Sequence, residues 1–347
     1  MTDFEVTGLA QKQAWADGVL PPVEQVRPGI FSIPVPIPDN PLRYLLSYCF
    51  RTDDGVVLVD CGWPVEEAWQ ALMAGLDAVG AAVTDVRGVV LTHAHLDHHG
   101  LAPRLREASG CWVAMHPAEA EGLRLQRDRS NAAAVETNHA WLRLTGVPAG
   151  KFDDLVMTPS RVREFSDLEP DWTFDDKEVL PVKGWTLRTQ WTPGHTPGHT
   201  CFDVEGQDLL LTGDHLLPRI TPNISSYKLE FSDPLGQYLD SLAAMRETTA
   251  EALPGHEYRF AGVRARADQV VAHHNARLDE VSAIVADRAE VTAWEVAQGL
   301  SWSRDWSTFT PFLQRSALAE TLAHLRYLAG RGRLVGVAGP PSRWRLS

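Results

Sequence analysis

Residues 91–100 read LTHAHLDHHG, which puts His93, His95, Asp97, His98 and His99 into one turn directly after an apolar run. Imidazole nitrogen and carboxylate oxygen are donors that zinc, iron and manganese accept from proteins. His93 and His95 stand two apart and can turn to one side, while Asp97 and His98 can address a neighbouring point. A catalytic zinc takes about three protein ligands and keeps a position for water. One loop with this many donors therefore supplies parts of two sites, and the rest must come from afar.

Later segments offer it. WTPGHTPGHT (191–200) sets His195 in a Gly/Pro turn behind a strand-like run, and LLLTGDH (209–215) ends an apolar run on Asp214. A carboxylate at an apolar terminus calls for a cation. ALPGHEY (252–258) repeats the Pro-Gly-His turn at His256. A lone HxH in a loop is usually a solvated or internally satisfied turn. Followed in order by these three strand-end turns, the cluster reads as metal ligands. His99, His116, His199 and His215 lie beside ligands, whereas His273 and His274 sit in a polar helix and read as solvated. Asp60, at a strand end, and His215 are the candidates to orient ligand imidazoles from behind.

The elements that must position these residues alternate strand and helix. GVVLVD (55–60) is a short β-branched strand, and PVEEAWQALMAGLDAVG (64–80) carries Trp69, Leu72, Leu76 and Val79 at helical spacing behind Pro64. VRGVVLTH (86–93) is the next buried strand, LAPRLREASG (101–110) the following helix, and CWVAMH (111–116) another strand. Residues 117–180 are polar and arginine-bearing, with Trp141, Phe152 and Trp172 set among loop residues. They read as a helical insertion over the active face. Strands resume at 186–192 and 207–214. From about 264, helical stretches at 265–287, 292–300 and 316–332 lead into a terminal hairpin. The expected division is a catalytic domain over 1–263 and a helical domain over 264–347.

Composition narrows the function classes. The 347 residues carry a net charge of −13, which disfavours a polyanionic partner. Four scattered cysteines form no CxxC pair, and the N-terminus shows no basic region followed by an apolar run. A reduced, cytoplasmic protein with no membrane segment is the expectation. Twelve tryptophans suit a core or a ligand pocket.

The motifs together resemble the metallo-β-lactamase-fold hydrolase superfamily, over roughly residues 28–262 and with its ligand motifs in order. The resemblance implies a four-layer αβ/βα sandwich with a dinuclear site at one edge of two sheets. It implies His93, His95 and His195 on one metal, Asp97, His98 and His256 on the other, and Asp214 between them. Two divalent metals are implied, zinc first, with iron or manganese also suited. Zinc β-lactamases of the commonest type have cysteine where Asp214 stands, and flavodiiron proteins replace the second loop histidine with glutamate. The pattern is most similar to glyoxalase II-like thioesterases and acyl-homoserine lactonases. The lactonase tyrosine is missing, because GDHLLP has Leu217 in its place. The C-terminal part is similar to the winged-helix tail of the β-lactamase-like 2 group, which includes a single-strand endoribonuclease. Arg326, Arg331, Arg333, Arg343 and Arg345 make this tail locally basic.

The mechanism implied is a metal-bridged hydroxide attacking a carbonyl ester-type bond, a thioester or lactone of a partly apolar small molecule, with Asp97 moving the proton. The insertion and PRITPNISSY (218–227) should wall the pocket, with Trp141, Ile224 and Tyr227 as candidate substrate contacts. Arg124 and Arg127 could meet an anionic end, though a solvated helix face explains them as well. One alternative is a metal-dependent single-strand endoribonuclease. Another is a mononuclear iron persulfide dioxygenase, which would leave Asp97, His98 and His256 without a metal. The expected partner is a small-molecule substrate, with a second copy of the chain a candidate and nucleic acid disfavoured.

Overall fold

Along Tyr44–Thr52 successive side chains go to opposite faces, and the two faces meet different layers. Leu45 and Cys49 pack with Ala68, Trp69, Leu72 and Leu76 of the helix Glu66–Ala78. Tyr44, Leu46, Tyr48 and Phe50 pack with Leu187, Phe202, Leu209, Leu211 and Leu253 of another sheet. This strand is thus buried on both sides, which explains its nearly unbroken apolar run. The structure is a computed structural model describing residues 4–128, 131–156, 167–230 and 232–347.

The first sheet runs β2 (Glu24–Arg27), β3 (Ile30–Pro36), β4 (Tyr44–Thr52), β5 (Gly55–Val59), β6 (Val86–Val90), β7 (Trp112–Met115) and β8 (Trp172–Thr173). Its strands pair antiparallel as far as β5 and parallel from β5 to β8. The second sheet runs β1 (Glu5–Val6), β14 (Phe260–Ala261), β13 (Glu251–Pro254), β12 (Leu209–Gly213), β11 (Thr200–Val204), β10 (Leu187–Trp191) and β9 (Val179–Leu180). β12 and β13 are parallel, while β11 is antiparallel to both β10 and β12. β10, β12 and β13 therefore all point the same way, and the turns that leave them share one edge.

The architecture is α/β with two mixed sheets, as the resemblance leads one to expect. Helices Glu66–Ala78 and Ala102–Ser109 cover the outer face of the first sheet. Close approach there depends on Gly75, where a Cβ would lie 2.2 Å from Ile33 Cγ2. Leu72 is fully buried, and truncating such a residue to alanine costs about 2–5 kcal/mol.

Two compact units emerge, one of Met1–Arg127, Phe165–Pro222 and Ser241–Ala267, the other of Asp128–Glu164, Asn223–Asp240 and Asp268–Ser347. The second holds the helices Asn131–Thr145, Ala293–Gly299 and Pro311–Gly330 and the antiparallel hairpin of β15 (Leu334–Val337) and β16 (Arg343–Leu346). Residue 263 opens the continuous helix Val263–Ala286. Four expected placements need correction. Trp172 lies on β8, pairing with Ala114, and Trp141 lies on the helix Asn131–Thr145 rather than in a loop. Phe152 begins the short helix Phe152–Leu155. His274 is not solvated: it is 1% exposed, with Nδ1 3.2 Å from Nε2 of the equally buried His324. Among the described residues no helix is long and apolar enough to cross a membrane.

Candidate metal centre

Strand ends deliver the donors. Asp60 follows β5, the histidine cluster follows β6, His195 lies in the turn after β10, Asp214 follows β12 and His256 follows β13. Asp97 and His98 occupy one helical turn, Leu96–His99. Parallel pairing of β5 with β6, and of β12 with β13, brings these ends to a common edge. Ligand sites of open α/β sheets gather outside the carboxyl ends of strands for the same reason.

Two groups of donor atoms result, each within 4.8 Å of one another: His93, His95, His195 and Asp214, and Asp97, His98 and His256. In the first, His95 Nδ1 lies 2.9 Å from His93 Nε2 and 3.0 Å from His195 Nε2. In the second, Asp97 Oδ2 lies 3.3 Å from His256 Nε2 and 3.8 Å from His98 Nε2. Asp214 reaches both groups. Its Oδ2 is 3.7 Å from His195 Nε2, and its Oδ1 is 3.4 Å from His98 Nε2 and 3.3 Å from His256 Nε2.

The two imidazoles of the second group are aimed by what holds their other nitrogens. His98 Nδ1 donates to Asp60 Oδ2 at 2.7 Å, and Asp60 accepts from Thr92 N at 2.9 Å and Thr92 Oγ1 at 2.8 Å. His256 Nδ1 donates to the carbonyl oxygen of Tyr44 at 2.8 Å. Both Nε2 atoms then turn their lone pairs inward. His98 Nε2, His256 Nε2 and Asp214 Oδ1 are buried without a hydrogen-bond partner. Three such orphans facing one another leave polar atoms desolvated, which is costly unless a cation sits among them. The donor set therefore fits divalent metal.

The charge pattern agrees. Burial disfavours a charged His256, yet Asp214 and Asp97 push its pKa up to about 10. Burial likewise opposes a charged His98, but Asp60, Asp214 and Asp97 raise it well above the usual value. Asp97 and Asp214, which burial alone would raise, are held below the carboxylate range by those imidazoles. His93 is pushed well below the imidazole value by burial and by its neighbours His98, His95 and His195. The His98 and His256 imidazoles thus hold protons that a metal would displace, and His93 stays neutral, as a ligand must.

Further residues support the donors, among them Glu119, which no ligand motif marks. His199 Nε2 accepts the main-chain N–H of Asp214 at 3.2 Å, while its Nδ1 lies 2.9 Å from Thr192 Oγ1. His215 is fully buried and packs against the His199 ring. Gly255 is glycine by necessity, since a Cβ there would lie 2.9 Å from both Asp214 Oδ1 and His98 Cε1. Glu119 is buried, and its two oxygens accept from Ala94 N at 2.7 Å and Gly198 N at 2.6 Å.

The expected substrate contacts come together within the second unit. Trp141 is buried and donates from Nε1 to Ser226 O at 3.1 Å, with its ring 5.4 Å from that of Tyr227. The Arg315 guanidinium lies over both rings, and Ile224 is fully buried. Arg124 and Arg127 pair with Glu121 and Glu169.

Residues 42–256 match the family profile described as the metallo-beta-lactamase superfamily. A metallo-beta-lactamase family protein of Thermus thermophilus shares 34% identity and superposes with a TM-score of 0.79, over 93% of this chain and 100% of that one. The lactamase-like protein adaB of Aspergillus niger is 26% identical over 94% of this chain and 88% of its own length. An atrochrysone carboxyl ACP thioesterase of Aspergillus fumigatus is 25% identical over 68% of this chain and 58% of its own.

Proposed function

The chain belongs to the metallo-beta-lactamase superfamily, and from that premise we propose that it is a dinuclear metal hydrolase of a carbonyl ester-type bond, first of all a thioester. The observation that carries the reading is Asp214, whose two oxygens face the two donor groups. His93, His95 and His195 would hold one cation, Asp97, His98 and His256 the other, and Asp214 both. Zinc suits this donor set best, with iron and manganese also compatible. Divalent ions held there supply a water made nucleophilic near neutral pH and an electrophile for the carbonyl oxygen.

The chain's own residues do the rest. Asp60 and the Tyr44 carbonyl fix His98 and His256 in one tautomer. Asp97, beside His256 and at the site's margin, is placed to take the proton of the attacking water and return it to the leaving group. A thiolate leaves with little help, whereas a lactone alkoxide needs that proton. The thioesterase among the relatives favours the first substrate class, and Leu217 in the place of the lactonase tyrosine agrees.

The tail supports a small-molecule substrate over RNA. Arg326 is buried, its guanidinium bonded to Ser226 Oγ and the Lys228 carbonyl, while Arg331 pairs with Asp233 and Arg333 with Asp279. Three helices followed by the β15–β16 hairpin favour a winged-helix reading of this part, which we take as scaffold rather than as a nucleic-acid reader. A panel of acyl thioesters, lactones, β-lactams and single-stranded RNA tests the proposal. Metal-dependent thioester cleavage is the expected result, and cleavage of RNA alone would replace it with the nuclease reading.

A further inference from the structure

Glu119 stands outside every ligand motif, yet it touches both halves of the three-histidine group. It lies in the first turn of the helix Pro117–Asp128 and is 4% exposed. Oε2 accepts from the N–H of Ala94, the residue between His93 and His95, at 2.7 Å. Oε1 accepts from the N–H of Gly198, three residues beyond His195, at 2.6 Å. The two loops are also joined at their roots, where Thr200 N donates to Thr92 O at 2.9 Å. Glu119 adds a second tie on the ligand side of that root. Gly198 permits the approach, because a Cβ there would lie 2.8 Å from Glu119 Cγ and from His116 Nδ1. His116 in turn stacks on Trp191, whose Nε1 donates to Pro197 O at 2.9 Å.

We propose that Glu119 is a positioning residue for the first metal: its carboxylate clamps the His93/His95 loop to the His195 loop and so sets the spacing of three ligand imidazoles. A carboxylate suits the task because both of its oxygens only accept, and each loop presents a main-chain N–H. An amide cannot replace it. One end of glutamine would turn an N–H group toward a main-chain N–H, and that tie would open. The inference rests on the metal reading above and concerns how that site is held.

The test uses full-length, metal-stripped protein in a His256→Ala background, which isolates the first donor group. Zinc affinity is measured by competition with a chromophoric chelator for this background alone and with Glu119→Gln, Glu119→Asp or Glu121→Gln added. Residues that hold metal ligands from behind typically account for about 10–100-fold in affinity. A loss of that size is expected for Glu119→Gln. A smaller loss is expected for Glu119→Asp, which keeps the charge but cannot span both loops. No change is expected for Glu121→Gln, on the same helix but paired with Arg124 in solvent. Amide exchange at Ala94 and Gly198 in metal-free protein with an intact His256 should quicken in Glu119→Gln. Background-like zinc affinity in Glu119→Gln would overturn the clamp, even if its melting temperature fell, and so would unchanged exchange at the two amides. A wild-type chain that binds no divalent metal would instead overturn the metal reading, and with it the purpose of the clamp.

Discussion

His256 Nδ1 lies 2.8 Å from the main-chain oxygen of Tyr44, a residue 212 positions earlier in the chain. The bond ties the turn after β13 in one sheet to the first residue of β4 in the other, and it leaves Nε2 facing Asp97 and Asp214. His256→Ala removes one donor of the second group and none of the first. Elemental analysis should show most of one metal lost and the other retained. Asp214→Ala removes a donor from both groups and should deplete both metals. Equal depletion in the two variants would contradict the division of ligands.

Asp97→Asn keeps the shape of the side chain and one oxygen but cannot carry the proton. Metal content should fall modestly, and kcat should fall by about 10²–10⁴-fold, the usual weight of general acid–base help. The effect should be larger for a lactone than for a thioester of the same acyl group. Parallel loss of metal and turnover would make Asp97 a ligand and no more.

The buried pair His274 and His324 makes stability depend on pH. Burial lowers both pKa values, and His324, His273 and Arg277 add to the shift at His274, giving about 2 for His274 and about 4 for His324. Tyr238 packs edge-on against the His274 ring, and His324 Nδ1 donates to Glu320 O. Both folded values lie below the unfolded value of about 6.5, so below that pH the unfolded chain binds more protons. The stability of the neutral pair is present above pH about 6.5 and is lost as pH falls toward 4. Urea unfolding should show a smaller loss between pH 7.5 and 5 in His274→Leu/His324→Leu than in the wild type. Identical pH slopes would contradict this.

Neutralising Arg331, Arg333, Arg343 and Arg345 together should spare hydrolysis of a small ester. The pairs Arg331–Asp233 and Arg333–Asp279 are solvent-exposed, and such pairs contribute about 0–1 kcal/mol each, so stability should drop only slightly. Filter binding should find no tight single-stranded RNA complex with the unmodified protein. Salt-sensitive micromolar binding that vanishes in the variant would favour the nuclease reading.

The ligand motifs are legible in the sequence because each lies in a short turn at the end of an apolar strand, where residue type and position coincide. Asp60 is legible for the same reason. Glu119 is not, since HPAEA reads as an acid in a helix's first turn, which the helix dipole already favours. Its partners are main-chain N–H groups 25 and 79 residues away, and nothing in their own residue types marks them. His274 reads as solvated because the helix Val263–Ala286 is polar in composition, and its buried partner His324 lies 50 residues on. Trp172 reads as part of the insertion because β8 is two residues long, too short to show alternation. The grouping of residues 128–164 and 223–240 with the tail depends on long-range contacts that no local pattern carries.

On the proposed reading Asp214 joins two metal positions that act together in hydrolysis. Metal-stripped protein titrated with zinc, with thioester hydrolysis followed at each addition, tests it most directly. Negligible activity is expected without metal, then a rise that completes near two zinc ions per chain, and no such completion in His256→Ala. Full activity at one metal per chain, or a chain that holds a single iron and consumes oxygen without hydrolysing any ester, would contradict it.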